Sequence, residues 1–212
     1  MTGAAAVRAA TLAAALVLAG AAPARAEVQP AVPRAVRRAV REAAVVVLPA
    51  RCGGVLVESR WLVATALHCV ERDEALRVRF ADGAERAATL EVADAAADQA
   101  VLRLDVPVDL LPLPLARRRP IVGTVLYFAG NPDRPRWQDS RVDRIGACDS
   151  LPALDDALFT SIEGTPGDSG SPLVDGGGQV VGLVHGGARC HIATPATRLT
   201  RLVDAALGRS RT

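Results

Sequence analysis

From Ala43 onward the chain breaks into short Val- and Leu-rich runs separated by turn residues, and this texture limits what it can fold into. "AAVVVLPA", "GGVLVES", "WLVATAL", "LRVRF", "RAATLEV" and "QAVLRLDV" form a first set. Apolar runs of this length, bounded by turn signals, read as strands. "ADG" between "LRVRF" and "RAATLEV" is a hairpin turn. "LLPLPLARRRPIVG" follows; its prolines cannot sit in a central strand, so it reads as a linker. Its triple arginine, Arg117 to Arg119, reads as a solvated loop. A second set comes next: "TVLYFAG", "SRVDRIGAC", "ALFTSI", "SPLVD", "QVVGLVHGG" and "HIATP", with "GGG" as a tight turn before "QVVGLVH". The chain closes on "ATRLTRLVDAALGR", apolar at Leu199, Leu202, Val203 and Ala206, which is helical spacing. The expectation is an all-β protein: two packed six-stranded antiparallel β-barrels with a C-terminal helix. The N-terminal barrel is expected over 43–116 and the C-terminal barrel over 117–212. Aromatic residues make up only 3% of the sequence, so the core must be Val, Leu and Ala.

The first 26 residues read differently. Arg8 is a short basic n-region, "AATLAAALVLAGAA" an apolar stretch too short to span a bilayer, and Ala24-Arg25-Ala26 a cleavage signal. Residues 1–26 are therefore expected to be a secretory signal peptide. The Arg-rich segment 27–42 is read as an N-terminal arm, with Val36 and Val40 spaced for a short helix. Removing the signal takes away two arginines and no acid, and the formal charge falls from +2 to zero. Such a chain has no net charge with which to attract nucleic acid or membrane. Cys52, Cys69, Cys148 and Cys190 are an even set in an exported chain, which favours two disulfides. No CxxC pair supports the rival zinc reading, and no metal or other cofactor is expected. A secreted or periplasmic protein follows, monomeric and without stable membrane association.

Chemistry enters with "GTPGDSGSPLV", residues 164–174. A Gly-rich turn needs only its glycines. A nucleophilic serine needs a base, a group to orient that base, and donors for an oxyanion. Three histidines exist, His68, His185 and His191. His68 follows the apolar "WLVATAL" and precedes Cys69, while Cys52 opens the strand before. A Cys52–Cys69 bridge would make a rigid mount for His68, and closing a loop of that length stabilises by about 3 kcal/mol in the chain-entropy model. For the orienting acid, "ADAAADQAVLRLD" offers Asp94, Asp98 and Asp105. Asp98 precedes an apolar strand and can be half-buried at its mouth; Asp94 reads as loop and Asp105 as strand end.

"CGGVLVESRWLVATALHC", "DQAVLRL" and "GDSGSPL", in the order His, Asp, Ser, resemble the chymotrypsin/trypsin-like serine proteases in their compact bacterial secreted form. The resemblance spans most of residues 43–190. It implies an endopeptidase acting on protein or peptide substrates, with His68 as general base, Asp98 orienting it and Ser169 as nucleophile. The backbone N–H groups of Gly167 and Ser169 would form the oxyanion hole. The chain departs from the family pattern at Leu67, where alanine is usual, at Gln99, where an aliphatic residue is usual, and at Ser171, where glycine is common. The family pairs the aspartate at position 168 with a cation. No Ile-Val-Gly-Gly stretch precedes Cys52 to supply one as a new N-terminus, and Arg141 or Arg144 is the expected partner.

The same resemblance puts the pocket for the substrate's P1 side chain between "SIEGTP" and "VHGGARC". Its candidate residues are Glu163, His185, Gly186 and Gly187. Glu163 stands where trypsin-like members carry the acid that selects basic side chains; a solvated loop glutamate is the plainer reading. His185 lies one residue from the histidine with which glutamyl endopeptidases hold an acidic side chain, so it faces either pocket or core. Cys148 and Cys190 remain to pair by elimination. A protease-fold binding protein without turnover is the competing functional class, although such chains usually lose a triad member.

Overall fold

The computed structural model describes residues 32–71, 75–186 and 191–209. A helix, α1 (Arg34–Ala43), leads into six strands: β1 (Ala44–Leu48), β2 (Cys52–Leu56), β3 (Leu62–Ala66), β4 (Leu76–Phe80), β5 (Glu85–Asp94) and β6 (Gln99–Leu104). They close into an antiparallel barrel in the order β1-β2-β3-β6-β5-β4. A second closed antiparallel barrel runs β10-β11-β12-β9-β8-β7. Its strands are β7 (Val125–Phe128), β8 (Gln138–Gly146), β9 (Ala157–Thr160), β10 (Pro172–Val174), β11 (Val180–Gly186) and β12 (His191–Pro195). The helix α2 (Ala196–Ala206) closes the described chain. The expected all-β architecture with a C-terminal helix is the one observed.

The turns form where the sequence places them. In "ADG", Phe80 N–H donates to the Ala84 carbonyl (2.9 Å) and Gly83 takes φ +85°, a left-handed conformation that favours glycine. The linker's alternating Leu and Pro make it a strap between the barrels. Leu113 forms a parallel bridge with Val57 of the first barrel, and Leu115 one with Val180 of the second. Both leucines are buried, and Pro114 between them has no N–H to donate.

The core is aliphatic, as the shortage of aromatics requires. β1, β2 and β3 are buried at every position, because these strands face neighbours on both sides. Leu199, Leu202 and Val203 of α2 join the first barrel's core, although α2 grows out of the second barrel. Arg103 of β6 donates to the Ala206 carbonyl at the end of that helix (2.6 Å). Helix α1 buries Val40 and Ala43 and rests Arg37 over the Trp137 ring, 5.1 Å from its centroid. Part of the segment expected as a surface arm is thus docked.

Contacts of Gly53 and Gln99 are among those that bring the barrels together. Gly53 of β2 lies so close to Ser171 that a Cβ there would collide with the serine hydroxyl. Gln99, buried at the start of β6, donates through Nε2 to Thr194 Oγ1 (2.8 Å) and to the Pro195 carbonyl (3.1 Å). The unusual glutamine is therefore a cross-barrel tie.

Candidate active site

His68 is mounted from both sides. Strand β3 delivers it into a single 3₁₀ turn, Leu67–Cys69, and Cys69 is bridged to Cys52 with their Cα atoms 6.2 Å apart. The Leu67 N–H donates to the Asp98 carbonyl (3.1 Å), and the His68 N–H donates to Asp98 Oδ1 (2.9 Å). His68 Nδ1 then lies 2.6 Å from Asp98 Oδ2.

Among the three acids weighed, the structure turns Asp98 towards His68. Asp94 uses its carboxylate to accept from the Ala96 and Ala97 N–H groups, at 2.9 and 3.2 Å, so it shapes the turn. Asp98 itself has φ +50°, the left-handed region that aspartate tolerates better than most side chains. That twist aims a buried carboxylate at the end of β3. His185 of β11 approaches the same oxygen, with Nδ1 2.7 Å from Asp98 Oδ2. Its ring stands edge-on to that of His68, centroids 5.6 Å apart.

Burial alone would raise the pKa of Asp98. Hydrogen bonds from His185 and His68, including the His68 backbone N–H, more than offset this and hold it at about 2. Asp98 is therefore ionised at any neutral pH. His68 is raised above its ordinary value, chiefly by its hydrogen bond to Asp98; burial opposes this, while the charges of Asp98 and Glu71 add to it.

Ser169 is buried in a loop with left-handed glycines on both sides, Gly167 (φ +97°) and Gly170 (φ +80°). The Gly170 N–H donates to the Val184 carbonyl (2.8 Å), next to His185, and the Val184 N–H donates to the Ser171 carbonyl (2.9 Å). On its other side Gly170 leaves no room for a Cβ, which would strike Gly53 O, Thr65 Oγ1 and, at 2.8 Å, Ala66 N. The residue after Ser169 is thus clamped between β11 and the end of the strand that leads to His68.

Asp168 is buried beside Ser169 and paired, but not with the expected arginines. Arg136 donates to its Oδ2 at 2.8 Å, in place of the Arg141 or Arg144 expected from sequence. Arg144 instead lies over the Phe159 ring, 3.5 Å from its centroid. The Thr165 N–H and hydroxyl also donate to Asp168 Oδ2, at 2.7 and 2.8 Å. Arg136 reaches further, to the Glu163 carbonyl (2.6 Å).

Asn131 was not singled out by the sequence. Its buried Nδ2 donates to the Gly167 carbonyl (2.7 Å) and to the Arg51 carbonyl of the first barrel (2.9 Å), and its N–H to Asp168 Oδ1 (3.3 Å). Neither Asn131 nor Arg136 lies in a motif. The one local signal is "GNPD", which reads only as a turn.

The pocket candidates are less gathered. Glu163 is exposed and its backbone carbonyl, not its carboxylate, meets Arg136. His185 directs Nδ1 at Asp98. Gly186 ends β11, and Gly187 lies outside the described residues. So do Cys190 and the expected signal peptide; Cys148, buried, is not a free thiol.

Among the described residues, His68, Asp98 and His185 offer three ligand-type atoms within 4.8 Å of one another, and Cys52 and Cys69 stand near His68. The cysteines are consumed by their disulfide. The N···O separations of 2.6 and 2.7 Å are those of short, charge-assisted hydrogen bonds to an ionised acceptor. The arrangement brings together an imidazole and the carboxylate that holds it, with Gly170, next to Ser169, packed against the end of the strand that leads to His68.

No curated protein matches the chain. A family model described as a trypsin-like peptidase domain matches residues 52–183, a stretch that takes in His68, Asp98 and Ser169. Because that match covers more than half the sequence and falls on both barrels, the chain belongs to the trypsin-like peptidase family.

Proposed function

We propose that this peptidase is a serine endopeptidase working through His68, Asp98 and Ser169. The observation that carries the reading is the clamp on Gly170, between the Val184 carbonyl and the Thr65–Ala66 end of β3. It holds the serine loop at the seam where Asp98 grips His68. Asp98, ionised, takes the Nδ1 proton of His68 in a hydrogen bond and leaves Nε2 free to accept. Ser169 Oγ attacks the scissile carbonyl while His68 Nε2 takes its proton. The imidazolium then protonates the leaving amine, and water repeats the cycle on the acyl-enzyme. The N–H groups of Gly167 and Ser169 stabilise the oxyanion, and Gly167's left-handed backbone is what aims the loop.

Substrates are proteins or peptides. Export fits the Cys52–Cys69 disulfide, and among the described residues no helix is long and apolar enough to cross a membrane. The monomeric state, the signal peptide at 1–26 and a role for Glu163 in choosing P1 belong to the same reading.

A fluorophosphonate probe tests it directly. Ser169 should be labelled in the wild type, and Ser169→Ala should lose both label and turnover, the latter by on the order of 10⁶-fold. Well-folded wild type that stays unlabelled would instead be a binding protein on a protease fold. Cleavage-site profiling of wild type against Glu163→Gln then reads whether Glu163 meets the substrate.

A further inference from the structure

We propose that His185 is a positioning residue: by donating to Asp98 from the second barrel, it fixes that carboxylate and sets how firmly His68 holds its proton. The inference rests on the triad reading above and assigns His185 to the catalytic side of the cleft, not to the substrate pocket.

The proton count carries it. Asp98 is ionised, and a carboxylate only accepts. Each short Nδ1···Oδ2 contact, 2.6 Å from His68 and 2.7 Å from His185, therefore has its proton on the nitrogen. Both imidazoles are Nδ1–H donors to one oxygen, while Oδ1 accepts from the His68 backbone. The two donors divide the charge of Oδ2 between them. His185 is the better shielded, its side chain 12% exposed against 41% for His68.

Surroundings limit what else could act on His185. Among the described residues, Asp98 holds its Nδ1 and the His68 ring stands edge-on to it. β12 sets Ile192 opposite it, and β10 is Pro-Leu-Val. The charge of Glu71 acts on His68.

Removing the His185 donor has two consequences of known direction. Oδ2 gives its full charge to His68, which then keeps its proton to higher pH. The carboxylate also loses its lateral restraint, which weakens alignment in the transition state more than substrate binding. Asparagine separates donor from ring, since its Nδ2 can occupy the place of the histidine Nδ1.

The test is the pH dependence of kcat/KM for wild type, His185→Leu and His185→Asn on one peptide substrate, with active sites counted by the fluorophosphonate probe. The acid limb of His185→Leu should move up by about 0.5 to 1 unit. Its kcat should fall about tenfold with KM little changed. His185→Asn should restore both towards wild type. A residue that merely fills space would lower thermal stability and leave the acid limb in place, and that result overturns the proposal. Should His185→Leu not fold, ¹⁵N NMR of the wild-type imidazoles decides. Protonated Nδ1 on both His68 and His185 supports it; an unprotonated Nδ1 on His185 overturns it. Wild type that neither labels nor turns over would instead defeat the triad reading on which this rests.

Discussion

Asp98 and Asp168 are both buried, both lie within the cleft region, and both accept several hydrogen bonds, yet the fold treats them in opposite ways. Asp98 faces two imidazoles, groups that exchange protons. Asp168 faces Arg136, whose charge is permanent, and a threonine. A carboxylate between histidines can follow a reaction in which one of them gains and loses a proton. One locked to a guanidinium can only hold a shape, here the loop that carries Gly167 and Ser169. On the proposed mechanism, the same side chain is made catalytic or architectural by what is placed opposite it.

Replacing Asp98 by asparagine should break the first arrangement most sharply. The amide offers N–H where the carboxylate accepted, so His68 takes the wrong tautomer, and kcat should fall about 10⁴-fold near neutral pH with the fold kept. Acid unfolding of the same variant reads the carboxylate independently. Asp98 is lowered from its ordinary 3.8 to about 2, so its contribution is present above pH 4 and is lost as pH falls through 2. That contribution is on the order of 2 kcal/mol. Wild type should therefore lose stability between pH 4 and 2 more steeply than Asp98→Asn, measured by chemical denaturation. Parallel curves would mean that the histidines do not hold the carboxylate as the geometry indicates.

Arg136→Met should break the second arrangement, and through folding rather than proton transfer. It leaves Asp168, 1% exposed, with Thr165 and the Asn131 N–H but no cation. Stranding one half of a buried pair costs about 3 kcal/mol. The midpoint of denaturation should drop accordingly, while the acid limb of the activity of whatever remains folded stays where it was. A shifted acid limb with unchanged stability would erase the distinction between the two aspartates.

What the sequence disclosed follows the same line. The barrels were legible because strand length, turn residues and buried alternation are local. His68, Asp98 and Ser169 could be nominated from sequence because each sits in its own short motif. Arg136 and Asn131 were not, because they act across 32 and 36 residues of chain and on backbone carbonyls that no sequence marks. Arg141 and Arg144 were the partners expected for Asp168, because a buried carboxylate needs a cation. Register decided against them: β8 turns Arg144 onto the Phe159 ring, and Arg136 in the loop before β8 reaches the aspartate. His185 was legible as a residue near the cleft but not as a donor to Asp98. A shift of one position along a strand reverses the face a side chain presents, and only the closed second barrel fixes which face that is.

Asn131→Ala gives the smallest effect and the finest division. The substitution removes the two Nδ2 hydrogen bonds, to the Gly167 and Arg51 carbonyls, and the Oδ1 that accepts from the Asp133 N–H, but leaves the backbone N–H that donates to Asp168. The charge pair of Asp168 and Arg136 stays intact, so any change in activity reports the hydrogen bonds of the Asn131 side chain, the one to the Gly167 carbonyl among them, and not the buried charge. Neutral hydrogen bonds of this kind contribute about 1 kcal/mol each at most when they are exchanged for water. A drop of roughly tenfold in kcat is expected, with KM and the pH profile unmoved, because an oxyanion donor matters only as charge develops. Affinity for a peptide aldehyde, which forms a tetrahedral adduct, should fall in parallel with kcat/KM. If kcat holds and only stability falls, Asp168 and Arg136 shape the oxyanion loop by themselves, and Asn131 is no more than a rivet between the barrels.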